Sequence, residues 1–253
     1  MKSNDPKSRF SSRVDTYRRY RPTYPTEMLD YMKNHCGLSS RSVIADIGSG
    51  TGILTGIFLK LGNTVHAVEP NAEMRIAAEE AFTGFPGFHS HDGSAEATNL
   101  PSRSIDLVTA AQSFHWFDLE KARIEFRRIA KPDSCIALIW NDRISEGTMF
   151  AEAYESFLNE FGTDYRQVNH KNIEDECIGT FFSPSSWKKV DFANHQDLDY
   201  EGLKGRVLSS SYMPNTDHPD FDVMVKALQN LFQHRSIDGK IRIGYRTVLY
   251  HNR

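Results

Sequence analysis

The chain has 253 residues, 25% of them charged and 39% hydrophobic, with a formal net charge of -3. A length of this order suits one α/β domain with insertions that buries roughly 70–75% of its unfolded surface, so no metal or disulfide staple is demanded. The slightly acidic balance excludes the broad basic footprint of a dedicated nucleic-acid binder, and no run of about 20 apolar residues exists to form a membrane-spanning helix.

The opening stretch MKSNDPKSRFSSRVDTYRRY is polar and lacks the apolar segment of a leader peptide. Cys36, Cys135 and Cys177 stand far apart, without a CxxC pair or histidines at ligand spacing, and read as buried, reduced thiols of a cytoplasmic protein. Arg13, Arg18, Arg19 and Arg21 interleave with Tyr17 and Tyr20; the pattern reads as a helix, with Arg13 and Arg19 on its solvated face.

From residue 42 onward short apolar runs alternate with helical periodicity. SVIADI (42–47) predicts a strand, GILTGIFLKLG a helix ended by Gly62, TVHAVE (64–69) a strand and AEMRIAAEEAF a helix. FHSHD (88–92) is a weaker strand and IDLVTAA (105–111) a strong one; LEKARIEFRRIA then reads as helix and CIALIW (135–140) as strand. After Asn141 the rhythm changes. TMFAEAYESFLNEF is helical, residues 163–180 read as polar and irregular, and WKKVDFANHQDLDY could carry a strand. GLKGRVLSSSY and FDVMVKALQNLFQHR read as helices, and KIRIGYRTVLY (240–250) alternates like a half-exposed antiparallel strand behind an Asp238-Gly239 turn.

The pattern predicts a Rossmann-like three-layer α/β sandwich: a mostly parallel sheet, an antiparallel C-terminal strand and helical insertions. One domain spans 1–253, with an N-terminal helical segment (1–41), a core (42–141) and helical additions with the last strands (142–253).

The first strand runs into Gly48, Gly50 and Gly52, preceded by Asp46. A dinucleotide fingerprint would place its third glycine at position 53, which is Ile53, and no Gly-Lys-Ser/Thr of a phosphate loop follows. Alternating glycines still mark a backbone that turns sharply and lets a ligand lie against it. Glu69 ends the second strand beside that loop, where a carboxylate can accept hydrogen bonds from the two hydroxyls of a ribose. The pattern asks for an adenosine-like ligand without a demanding phosphate.

ADIGSGTG followed by AVEP resembles the first two motifs of class I S-adenosylmethionine-dependent methyltransferases. GSAEATNLPSRSIDLVTAAQSFHWFD (93–118) is similar to the next segment of their small-molecule branch, the group that includes trans-aconitate methyltransferase-like proteins. The likeness covers residues 43–141; YRRYRPTYP (17–25), SSSYMP and YRTVLY are similar to a subgroup of the same branch.

The resemblance implies S-adenosylmethionine as cofactor and a small-molecule acceptor methylated at oxygen, nitrogen or a carboxylate, with neither nucleic acid nor membrane as partner; the oligomeric state stays open. It assigns Gly48 and Gly50 to close approach of the methionyl part, Gly52 to packing the following helix near the sheet, and Asp46 to orienting the amino group. Glu69 would hold the ribose, with Pro70 and Asn71 beside the adenine. Ser94 stands where many relatives carry an aspartate, so Ala95 and Glu96 would supply the backbone contact and the charge. Gln112 would face the methionyl end, and Tyr17 and Arg21 would belong to an N-terminal lid, Arg21 pairing with the carboxylate of the cofactor or of an acidic substrate. His115 is the candidate general base; Trp116 and Phe117 read equally as site or as core. Tyr212 and Trp187 are candidate aromatic walls of the acceptor pocket. Two alternatives stay open: a NAD-dependent oxidoreductase, which Glu69 would serve equally well but the glycine spacing disfavours, and a non-catalytic S-adenosylmethionine-binding protein.

Overall fold

The computed structural model describes residues 14–163, 165 and 175–253. Arg13 and residues 166–174, the latter within the stretch read as irregular, lie outside the described residues.

Two helices, α1 (Val14–Tyr20) and α2 (Thr26–His35), precede the sheet. The core follows as β1 (Val43–Ile47), α3 (Ile53–Lys60), β2 (Thr64–Val68), α4 (Ala72–Phe82), β3 (Phe88–His91), β4 (Ile105–Ala111), α5 (Leu119–Ile129) and β5 (Ala130–Arg143). Then come α6 (Met149–Phe161), α7 (Asp175–Phe182), β6 (Lys188–Leu198), α8 (Tyr200–Leu208), α9 (Phe221–Arg235) and β7 (Ile241–His251). Side chains start four of these helices by accepting a backbone N–H: Asn71 for α4, Asp118 for α5, Thr148 for α6 and Asp199 for α8.

The described residues form a seven-stranded sheet in the order β3-β2-β1-β4-β5-β7-β6. Strands β1 to β5 pair in parallel, and β7 runs antiparallel to both β5 and β6. The strand order reverses between β1 and β4, which opens a crevice at their C-terminal ends. Central strands are covered on both faces and therefore read as unbroken apolar runs. On one side Met28 and Met32 of α2 and Phe58 of α3 pack against Ile44 and Leu107; on the other Phe126 and Ile129 of α5 and Phe181 of α7 pack against Ala45, Ile47 and Val108. A third cluster joins α6, α8 and α9 to Ile241, Ile243 and Tyr245 of β7.

Several expectations need correction. Strand β5 is 14 residues long rather than the six of CIALIW. Its ladder jumps from Ile105↔Ala130 to Leu107↔Cys135, so residues 131–134 bulge opposite the single Asp106. Part of the stretch read as irregular is α7, whose Ile178 and Phe181 are held by burial. Strand β7 alternates only over its first half; Thr247 to His251 are buried because that half is covered on both faces, Val248 and Tyr250 packing in one core cluster and Leu249 in the other. Cys177 is exposed, and Cys36 and Cys135, though a hundred residues apart, meet in the core with His251. Among the described residues no helix is long and apolar enough to cross a membrane.

Candidate functional site

A cavity of about 410 Å³ opens at the C-terminal ends of β1, β2 and β4, and every singled-out site residue except Gly52 and Trp187 lines it. The β1–α3 loop forms its floor. There the Gly48 and Ser49 N–H groups donate to the Val68 carbonyl at 2.8 and 3.2 Å, tying the loop to the end of β2. Gly50 has φ 57°, a left-handed conformation, and a Cβ there would project into open space with only Met74 Sδ within 4 Å, at 3.6 Å. Gly52, at φ 83°, faces away from the cavity: its missing Cβ would lie 2.4 Å from the Phe82 ring. Its smallness thus seats α3 against α4, whereas the expectation was packing against the sheet.

Glu69 is the anchor of the loop. Its Oε2 accepts the Gly50 N–H and its Oε1 the Asn71 N–H, both at 2.8 Å, while its carbonyl accepts from Arg75 Nη1. Burial pushes its pKa up, and the two backbone donors work against that rise. A carboxylate has about four acceptor positions, so two stay available to hydroxyls in the cavity.

Asp46 pairs in register with Thr109 on β4, and its carboxylate accepts from Thr55 Oγ1 at 2.7 Å and Thr109 Oγ1 at 3.0 Å. Burial pushes its pKa up to about 6, outweighing these hydroxyl donors.

The second wall runs through Ser94, Ala95 and Glu96. The Glu96 N–H donates to Ser94 Oγ at 3.3 Å, and Glu96 Oε1 accepts the Asp118 N–H at 2.8 Å, which engages the charge expected to replace the aspartate. Gln112, at the end of β4, holds φ 57°, a conformation rare for a side-chain-bearing residue, and its N–H donates to the Ile139 carbonyl. His115 follows in a 3-10 turn with its ring 4.8 Å from that of Trp116; Phe114 in the same turn is buried core. Trp116 and Phe117 both line the cavity, and Phe117 also packs against Phe126.

Arginines close the far side. The Arg21 guanidinium stacks on Tyr17 at 4.7 Å and donates from Nη2 to the Ser209 carbonyl at 2.9 Å, while its Nε has no partner. Arg206 of α8, 7% exposed, donates to Tyr245 Oη at 3.2 Å and to Ser210 Oγ at 3.0 Å. Among the described residues no carboxylate pairs with either. Burial first, and then the like charge of Arg206, push the Arg21 pKa down. Arg143 differs, because Glu155 pairs with it.

Sequence reasoning missed Arg206, Asn141 and Tyr245, which reach the cavity only through the tertiary packing of α8, β5 and β7. Tyr212 lines the cavity, but Trp187 does not: its ring packs 5.8 Å from Tyr250.

Residues 45–138 match the family model described as a methyltransferase domain. An uncharacterised methyltransferase of Schizosaccharomyces pombe is 34% identical over 135 residues, covering 53% of each chain. One from Mycobacterium bovis is 37% identical over 134 residues, 53% of this chain and 52% of its own. The chain therefore spans about half the length of the curated relatives it matches. Among solved structures, a candidate type II methyltransferase from Anaeromyxobacter dehalogenans superposes with a TM-score of 0.63 over 92% of this chain and 98% of its own, at 19% identity, a likeness of fold.

Proposed function

We propose that the chain works as an S-adenosylmethionine-dependent methyltransferase, the class on which the matched domain, the named relatives and the fold agree, and that its acceptor is a small molecule. The observation that carries this reading is Glu69, fixed by two backbone N–H groups at the mouth of the glycine loop with acceptor positions left for a ribose. The residues fit the cofactor. Gly50 leaves the methionyl chain room while Gly48, whose missing Cβ makes way for Ser113, brings its backbone to the cavity; Pro70 and Asn71 flank the adenine, and Ser94 and Ala95 offer the opposite edge. The guanidiniums of Arg21 and Arg206, with no carboxylate partner among the described residues, ask for anions, of which the methionyl carboxylate supplies one and an anionic acceptor a second.

When bound, the cofactor would supply an electrophilic sulfonium methyl open to in-line attack by an acceptor, with the thioether as leaving group. The chain's task is orientation and exclusion of water, worth on the order of 7–11 kcal/mol at best. The α1 segment serves as the lid: it packs on α4 of the core and on α8 of the added helices, spanning the cavity between them. A carboxylate acceptor needs no base. A hydroxyl or amine acceptor must lose a proton, and His115 takes it; replacing His115 by Ala then costs about 100- to 10,000-fold in turnover, whereas a carboxylate acceptor leaves turnover nearly unchanged.

Calorimetric titration with S-adenosylmethionine, S-adenosylhomocysteine and NAD tests the reading, on the wild type and on Glu69→Ala. Both adenosyl compounds should bind, NAD should not, and the substitution should weaken binding at least tenfold. NAD binding in their place would return the oxidoreductase reading, and cofactor binding with no transfer to any small acid, phenol or amine would leave a non-catalytic binder.

A further inference from the structure

At the N-terminal edge of the parallel strands, the end opposite the cavity, Cys36, Cys135 and His251 meet. Their ligand atoms all lie within 4.8 Å of one another, and the residues are 1%, 0% and 0% exposed. Three separate elements deliver them. Cys36 is the C-cap of α2, Cys135 is the first residue of β5 after its bulge, paired with Leu107, and His251 ends β7 between Ala137 and Lys188. Met32, Ile44, Leu107 and Leu249 belong to the apolar cluster that holds Cys36 and Cys135, while Tyr31, His35, Asn252 and Arg253 are the polar neighbours.

We propose that Cys36, Cys135 and His251 form a buried site for one soft d10 metal ion, Zn2+ or Cu+, which clasps α2, β5 and β7 together. A metal about 2.3 Å from each sulfur and about 2.0–2.1 Å from the imidazole nitrogen holds donor atoms roughly 3.5–3.8 Å apart, so the existing cluster closes on an ion with small side-chain movements. Thiolate and imidazole donors select this class of ion over the hard cations. On binding, two S–H bonds break, two metal–sulfur bonds form and two protons leave to solvent; no oxidant or reductant is consumed. With Zn2+ the resulting cluster is neutral, which suits a buried position.

Supporting contacts fix the donors. Tyr31 Oη lies 3.1 Å from His251 Nε2, the position from which a second group orients a ligating imidazole. Asn252 Oδ1 accepts the Ile136 N–H at 2.8 Å, which pins the chain after His251 against the start of β5. A closed three-donor set suits Cu+; Zn2+ would complete four positions with a water.

The test loads the reduced, metal-stripped full chain anaerobically with Zn2+ or with Cu+, removes excess ion by gel filtration, and counts metal per chain. One ion per chain should be retained in at least one arm, with a raised unfolding temperature. The exposed thiol is the control: Cys177→Ser should behave as wild type. Cys36→Ser and Cys135→Ser should lose the ion, and Tyr31→Phe, which keeps all three donors, should bind about 10- to 100-fold more weakly. S-adenosylhomocysteine titration of each variant confirms that its fold is retained. Retention of neither ion by the wild type, retention unchanged in Cys36→Ser, or isolation of the protein with Cys36 and Cys135 joined as a disulfide would each overturn the assignment.

Discussion

Asp46 carries its proton differently from most surface carboxylates, and the sign of its effect follows from its surroundings. Burial raises its pKa to about 6 from the usual 3.8, so between those limits the folded chain binds a proton that the unfolded chain releases. Stability therefore falls as pH rises from about 4 to about 6, opposite to a salt-bridged carboxylate, with a full effect of roughly 3 kcal/mol. Asp46→Asn removes the titration while keeping a side chain of the same shape beside Thr55 and Thr109. Urea unfolding of the ligand-free variant should show a stability gain over wild type that grows across this window and levels off above it. A gain that stays constant from pH 4 to pH 7 would mean that Asp46 does not titrate there. The same residue shows what was legible locally: Asp46, the glycines and Glu69 stand within 24 positions on one loop and the neighbouring strand, so their meeting needs only a parallel β-α-β unit.

The element most exposed to a single substitution is α1, because its seat on α8 depends on a glycine. A Cβ at Gly205 would lie 2.3 Å from two atoms of the Tyr20 ring and 2.6 Å from its Cγ, too near the ring's root to be relieved by rotation. Gly205→Ala must displace Tyr20 and with it Arg21, at a cost typical of overpacking, on the order of 1–3 kcal/mol. Calorimetry should register a fall of roughly 5- to 100-fold in S-adenosylhomocysteine affinity with the circular dichroism spectrum retained, and adding Tyr20→Ala should restore part of it. Unchanged affinity would remove α1 from the ligand site. Sequence patterning served best where an element is buried by its own neighbours, as in β1 and β4, whose apolar runs need no distant partner. It failed for α7, two turns interrupted by Gly179 that persist because Ile178 and Phe181 pack beside Phe126. It failed again for Trp187, whose place depends on Tyr250 across the sheet, and for Cys36, Cys135 and His251, whose meeting is a property of topology.

At the scale of the whole molecule, the core and the added helices share a cavity on whose far side Arg21 and Arg206 face it with no carboxylate paired to either among the described residues. Arg206 is set on α8 by the third hydrophobic cluster, and among the described residues its guanidinium finds only Tyr245 and Ser210. An arginine buried without a carboxylate costs the ligand-free chain several kcal/mol of solvation that these neutral hydrogen bonds only partly return. The fold tolerates that cost if an anion arrives with the ligands, since anything that binds only the folded state stabilises it, by about 2.7 kcal/mol at a hundredfold excess over its Kd. Arg206→Met keeps a flexible aliphatic stem in the same buried place and removes the charge. Thermal unfolding should therefore show the ligand-free variant at least as stable as wild type, while carboxylate-bearing acceptors give it no further stabilisation and transfer to them slows at least tenfold. The opposite pattern, a destabilised apo protein with acceptor response intact, would mean that Tyr245 and Ser210 suffice for Arg206 and that the charge serves packing between the core and the added helices.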